Sequence, residues 1–167
     1  TAAKLSAAGA KIGEVEFAAP FRDIHKHHRV IFNYEAAHNY AYEHLEHRDQ
    51  VSQVLLDTVL DPGRDLPLAD YIAALEAAEA FRAHLDDLFA EIDVLLTPSA
   101  AGEAPEGYDS TGNPAFNTTW TLGWVPCVTL PAGSGPKRLP LGVQLVGPRC
   151  ADEKLLDAAA WVEARLG

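Results

Sequence analysis

Three short apolar runs, each followed by proline or glycine, most constrain what this chain can fold into. Asp93-Val94-Leu95-Leu96-Thr97-Pro98 is too short for a core helix and ends on a proline, so it reads as a buried strand. Cys127-Val128-Thr129-Leu130 and Leu141-Gly142-Val143-Gln144-Leu145-Val146 read as two more, joined by a Gly/Pro-rich stretch over 131–140 that suits a hairpin. Between and around them the apolar period is helical. Strands interspersed with long helices predict an α/β fold, a mixed β-sheet covered by α-helices.

The remaining segments fill in that plan. Thr1 to Ala10 reads as the last turns of a helix, and Ile12 to Phe17 alternates apolar and acidic residues like a half-buried strand ended by Pro20. From Phe21 to about Leu60 the chain is helical, with a break expected near Arg48 to Val51. Ile31, Tyr34, Glu35, His38, Tyr42 and Leu45 share one helix face by spacing. Asp61-Pro62-Gly63 reads as a stop. A second helix starts near Asp70 as N-cap, with Leu75, Ala78, Phe81, Leu85, Leu88 and Ile92 as its stripe and Glu76, Glu79, Arg82 and Asp86 on the other side. Ala100 to Asn113 is loop, Pro114 to Leu122 a short helix, and Asp152 caps a last helix striped by Leu155, Ala159, Val162 and Leu166. The whole of 1–167 reads as one unit, and its few strands as part of a larger sheet.

Bulk properties narrow the function. At 48% hydrophobic and 22% charged residues, the 167-residue chain has an ordinary globular composition. A net charge of -11 argues against phosphate-mediated nucleic-acid binding, which needs a basic face. No apolar run approaches the ~20 residues of a membrane helix, and no signal peptide is visible. Two cysteines, Cys127 and Cys150, make no disulfide framework and suggest free thiols in a reducing cytoplasm. The chain contains no methionine and begins at Thr1, so it reads as processed or as a fragment.

The order of motifs from Asp93 onward is specific. DVLLTP is followed by a Gly/Pro-rich loop, then GNPAFNTTWTLGWVPCVTLPAG, then LPLGVQLVGP, then the helix ADEKLLDAAAWVE. Upstream, GAKIGEVEFAAPF, IFNYEAAHNY and Asp70-Tyr71 agree more loosely. This set resembles the C-terminal portion of the amidase-signature family, the amidases and amidotransferase A-subunits, over nearly the whole chain. At one position it departs from the family: many members have glycine three residues before the cysteine or alanine of P-[CA], where this chain has Trp124, with glycine at 123.

The resemblance implies hydrolysis of a carbon–nitrogen amide bond by a Ser–cisSer–Lys triad through an acyl-enzyme, with no metal or organic cofactor. The family carries that triad in its N-terminal half. Here Ser6, Ser52, Ser99, Ser110 and Ser134 lie in no family G-G-S context, and Lys4, Lys11, Lys26, Lys137 and Lys154 lie in no catalytic context, so no catalytic residue is assigned. The resemblance leaves this chain a wall of the substrate pocket, with Phe116, Asn117, Trp120 and Trp124 as candidates. Asn117 could orient an amide or carboxylate, and the aromatics could cover an apolar substituent; the structural alternative is that Phe116 and Trp120 pack in the core and Asn117 braces a turn. The implied partners are a small-molecule amide substrate and the N-terminal half of the domain, and the isolated chain is expected to self-associate, as a dimer, over the exposed face.

Other residue groups carry competing readings. Six of the histidines fall in one helical tract, where His44 and His47 share a face with Glu43 nearby, the basis of an alternative metal-binding helical protein. Glu35-x-x-His38 lacks the second such pair a di-iron site needs, so the tract reads as a solvated face and no metal site is assigned. Glu35 needs a partner, a backbone N–H or a tyrosine, if it is buried. Cys127 reads as a small core residue rather than a nucleophile, and Asp109 as a turn former. A second alternative is a non-catalytic amidase-like module that binds a ligand or partner.

Overall fold

The computed structural model describes residues 1–166. In chain order its elements are helices α1 (Ala2–Ala7), α2 (Ile24–Asn39), α3 (Ala41–Glu46), α4 (Gln53–Leu55), α5 (Asp61–Arg64) and α6 (Leu68–Phe89), strand β1 (Leu95–Pro98), helix α7 (Ala115–Gly123), strands β2 (Cys127–Ser134) and β3 (Pro140–Val146), and helix α8 (Asp152–Leu166). The α/β class holds. The chain forms two compact units, one of Thr1–Phe17 with the chain from Arg82 onward, the other of Ala18–Phe81.

The first unit is built on the sheet, in the order β1-β3-β2, with both pairings antiparallel. Leu95 faces Val146 across one ladder and Leu130 faces Val143 across the other. Central β3 buries Val143, Gln144, Leu145 and Val146 in succession, which is why its sequence is an apolar run and not an alternation. The hairpin falls where its composition put it, though β2 runs on to Ser134 through a bulge between Pro131 and Gly133. Proline lacks the N–H a ladder needs, and Gly133 takes φ +132, so this edge strand bends there. Leu155, Ala159 and Val162 of α8 pack with Leu5, Leu130, Val143 and Leu145 in one core, as the helical stripe predicts.

Several expectations in this unit are corrected. Residues 12–17 form no strand: among the described residues no strand pairs with them, and alternation without a partner leaves backbone groups nothing to bond. Cys127 is exposed, because β2 is an edge strand burying only Leu130 fully. Arg82 is buried rather than solvated. Asp152 and Asp70 sit in the first turns of α8 and α6 rather than before them, where a carboxylate still favours the N-terminal dipole.

In the second unit the chain breaks at 48–50, as expected, and also at Tyr40. Asp61-Pro62-Gly63 does not stop the helix. Residues 53–64 run on through a π-turn at Leu56–Leu60. Pro62 cannot donate to the Thr58 carbonyl four residues back, and the buried Asn33 side chain donates to that oxygen instead, at 3.2 Å. Gly63 then lets α5 lie directly on α2: a Cβ there would come within 2.6 Å of the Asn33 carbonyl carbon and 2.9 Å of Ala37 Cβ.

That close approach decides which face of α2 is inside. Asn33, Ala36 and Ala37, the small residues, are buried, and Ala36 joins Leu56 and Leu60 in a core. The expected face is not the buried one: Glu35 and His38 of α2 are exposed, and Tyr42 and Leu45, past the break at Tyr40 in α3, are 64% and 70% exposed. In α6, Ala78, Phe81 and Leu85 of the expected stripe are fully buried.

Candidate functional site

The stretch singled out by its motifs, 112–124, is helix α7 and its flanks. Pro114 precedes the helix with its φ already at -80°, and Asn113 Oδ1 accepts from the Ala115 N–H at 3.0 Å. Two amide side chains pin the first turn to the sheet. Buried Gln144, on central β3, donates from Nε2 to the Phe116 carbonyl at 3.1 Å. Asn117 donates from Nδ2 to the Ser99 carbonyl, at the end of β1, at 3.3 Å. The chain after β1 also hugs β3: Ser99 N–H donates to the Gly142 carbonyl at 3.2 Å, and a Cβ on Gly142 would strike the Ser99 side chain and Thr129 Cγ2.

The four candidates are therefore differently placed. Phe116 is half-buried at the pinned turn, and Asn117 is exposed with its amide engaged by Ser99. Trp120 is buried, with Phe17 tilted against it at 6.2 Å between centroids. Its Nε1 and the Thr118 hydroxyl are both buried without a hydrogen-bond partner among the described residues. Trp124 closes the helix in the left-handed conformation (φ 56, ψ 33) and is 63% exposed. Arg82 donates from Nε to the Leu122 carbonyl at 2.9 Å, and its guanidinium lies over the Trp124 ring at 3.4 Å from the centroid.

Arg82 and Gln144 are the residues that pattern reading missed. Arg82 looked like one more charge on a polar helix face. Gln144 sat inside a quoted motif, and a lone amide in an apolar strand was the available signal. Beyond α7, Glu103 ties the 100–113 loop to the hairpin tip, accepting from the N–H groups of Lys137 (2.9 and 3.1 Å) and Leu139 (2.9 Å).

Several of the serines and lysines have structural partners. Ser52 and Ser110 accept from backbone N–H groups, while Lys26 and Lys137 pair with Asp23 and Glu106. Although Cys127 is exposed as a residue, partial desolvation pushes its thiol up to about 11, which suits an inert thiol better than a nucleophile.

The histidine tract is put to structural use. His44 is buried, not solvated, with Nε2 2.8 Å from Asp61 Oδ1 and 2.7 Å from Arg48 Nη1. Arg48 grips both Asp61 oxygens, at 2.8 and 2.6 Å. The Arg48 guanidinium and then His44 hold the Asp61 carboxyl well below the usual carboxylate range. Glu35 has the tyrosine partner its chemistry called for: Tyr71 donates to Oε1 at 2.9 Å, although Glu35 is exposed. Among the described residues no group of three or more His, Cys, Asp or Glu side chains could hold a metal ion, and no helix is long and apolar enough to cross a membrane.

Comparison with known proteins gives consistent matches. The family model described as Amidase matches residues 1–156. The A-subunit of glutamyl-tRNA(Gln) amidotransferase from Halobacterium salinarum is 35% identical over 100 residues, covering 56% of this chain and 23% of that protein. A crystal structure of an amidase superposes with TM-score 0.86 at 28% identity, covering 99% of this chain and 40% of that one. The Thermotoga maritima glutamyl-tRNA(Gln) amidotransferase A-subunit shares the fold at TM-score 0.66 and 22% identity, over 92% of this chain and 34% of its own. The chain thus spans about a quarter of that curated relative and two-fifths of that amidase.

Proposed function

The chain belongs to the amidase-signature family, and from that premise we propose that it is the C-terminal portion of an enzyme that hydrolyses carbon–nitrogen amide bonds in small molecules. The observation that carries this reading is the near-complete superposition on an amidase of which the chain matches 40%. In this reading the Ser–cisSer–Lys triad and its oxyanion donors belong to the N-terminal portion. There the lysine, relayed through the middle serine, activates the nucleophile, an acyl-enzyme forms, and water releases the acid. The present chain supplies sheet scaffold and, through α7, a pocket wall of Phe116, Asn117, Trp120 and Trp124. The side chains that pin α7 to β1 and β3 suit that role, because a pocket wall must hold its geometry.

Ammonia release from small amides, measured for this chain, for the N-terminal portion and for the two together, tests the reading. Hydrolysis is expected only from the pair. Hydrolysis by this chain alone would overturn the division of labour, because the members of a triad act as a unit. Alone, the chain has β1 and β2 as open sheet edges, which favours self-association into a dimer. Two unpaired cysteines fit a reducing compartment such as the cytoplasm.

A second reading, an amidotransferase A-subunit, is favoured by the sequence relatives, which carry that name. It would deliver the ammonia released from an amide to glutamyl-tRNA instead of letting it go to solvent. The net charge of -11 gives this chain little to offer a tRNA backbone, which leaves the hydrolase ahead.

A further inference from the structure

We propose that Trp124 is a stacking platform for a planar aromatic group on the amide substrate, and that Arg82 is the positioning residue that holds it. The inference rests on the hydrolase reading for its nearness to the reacting bond, but the platform itself is read from geometry. Trp124 ends α7 at φ 56, a conformation that favours glycine, and Gly123 stands one residue too early to take it. A large side chain in that backbone conformation is disfavoured, and this one recovers little by packing, being 63% exposed.

What fixes the ring is Arg82. The arginine is buried, its Nε is committed to the Leu122 carbonyl in the last turn of α7, and its guanidinium covers one face of the indole. With Arg82 over it, Trp124 is still 63% exposed in this chain. Another such pair among the described residues differs: Arg165 over Trp161 at 3.8 Å is an exposed i,i+4 couple on the surface of α8. At 82 and 124 the cation instead reaches from a different helix and is anchored to backbone, so the indole is held before any ligand arrives. A flat, rigid apolar face with its reverse side backed by a guanidinium suits offset stacking with another aromatic ring. A saturated ring of the same size cannot lie flush against it. The substrate class indicated is an amide that carries an aryl or heteroaryl group.

The test uses the complete enzyme and two probes of matched ring size, benzamide and cyclohexanecarboxamide. The ratio of their kcat/KM values is compared among wild type, Trp124→Phe and Trp124→Leu. Both replacements keep a β-carbon at the left-handed position, so backbone strain is shared. The benzamide preference is expected to fall about five- to tenfold in Trp124→Leu and to stay within about twofold in Trp124→Phe. Arg82→Lys is expected to raise KM for benzamide with kcat retained, since lysine cannot both stack and donate in the same plane. An unchanged ratio in Trp124→Leu would overturn the platform. If the complete enzyme hydrolyses no amide at all, the hydrolase reading falls, and benzamide quenching of tryptophan emission decides the platform separately. Saturable quenching lost in Trp124→Leu upholds it. Equal quenching in both proteins, or none in wild type, overturns it.

Discussion

Replacing Gly63 by alanine sets two physical effects against each other, and the structure says which one wins. By helix propensity alone, alanine in α5 is favourable by about 1 kcal/mol, through a less flexible unfolded chain. A β-carbon at that position, however, would sit 2.6 Å from the Asn33 carbonyl carbon and 2.9 Å from Ala37 Cβ, well inside ordinary contact. One of these neighbours is backbone and the other is the first atom of a side chain, so neither can swing away. Helix α5 would have to lift from α2 by about 1 Å to restore normal carbon–carbon spacing. Overpacking of this kind costs about 1–3 kcal/mol. The lift also stretches the bond from buried Asn33 to the Thr58 carbonyl, now 3.2 Å, and leaving that amide unpaired costs about 1–3 kcal/mol more. After subtracting the propensity gain, the net loss is about 1–5 kcal/mol, or roughly 2–20 °C in Tm at 2–4 °C per kcal/mol for a chain of this size. Differential scanning calorimetry of wild type and Gly63→Ala at one protein concentration measures it. A variant that melts at the same temperature or higher would refute the reasoning, because it would show that propensity governs this segment and that the close approach is not enforced.

Two further outcomes follow from the charge environments. Asp61 has a lowered folded-state pKa, so its contribution to stability is present above the unfolded value of about 4 and fades as pH falls toward the folded one. Asp61→Asn is therefore expected to lower Tm clearly at pH 7 and progressively less below about pH 4; a Tm gap that stays constant across that acid range would contradict the coupling to Arg48 and His44. Cys127 is exposed but its thiol is raised to about 11, so iodoacetamide labelling at pH 8, followed by mass spectrometry, is expected to be slow there and to accelerate toward pH 11. Rapid modification of Cys127 at pH 8 would show that the thiolate is not disfavoured.

The sheet unit was legible from sequence because its signals are self-contained. A short apolar run closed by proline, or a stripe at Leu155, Ala159 and Val162, states its burial whatever lies opposite. The second unit was misread where contact geometry overrode local chemistry. Proline and glycine at 62–63 have the composition of a stop, yet Asn33 takes the carbonyl that proline leaves free, and glycine is there for helix contact. The same contact selects alanines for the inside of α2 and leaves a larger residue, Phe32, outside, the reverse of what hydrophobicity alone ranks. Around the candidate site, sequence placed the helix α7, but not the two side chains that hold it. Gln144 and Arg82 act through backbone carbonyls, and a carbonyl leaves no trace in residue identity.

The departure from the family pattern at Trp124 has a physical meaning in the backbone. The family pattern has glycine at the position where this chain turns left-handed, and that conformation is what glycine is for. A tryptophan there is disfavoured by roughly 1–2 kcal/mol of backbone strain, against which a cation–π contact returns about 0.5–2 kcal/mol. The two nearly cancel, so stability offers no reason to keep the ring and none to lose it. A residue that is neutral for folding, exposed, and yet gripped from behind by a buried arginine is free to be chosen for what it touches. In the stacking-platform proposal, that freedom is used for recognition.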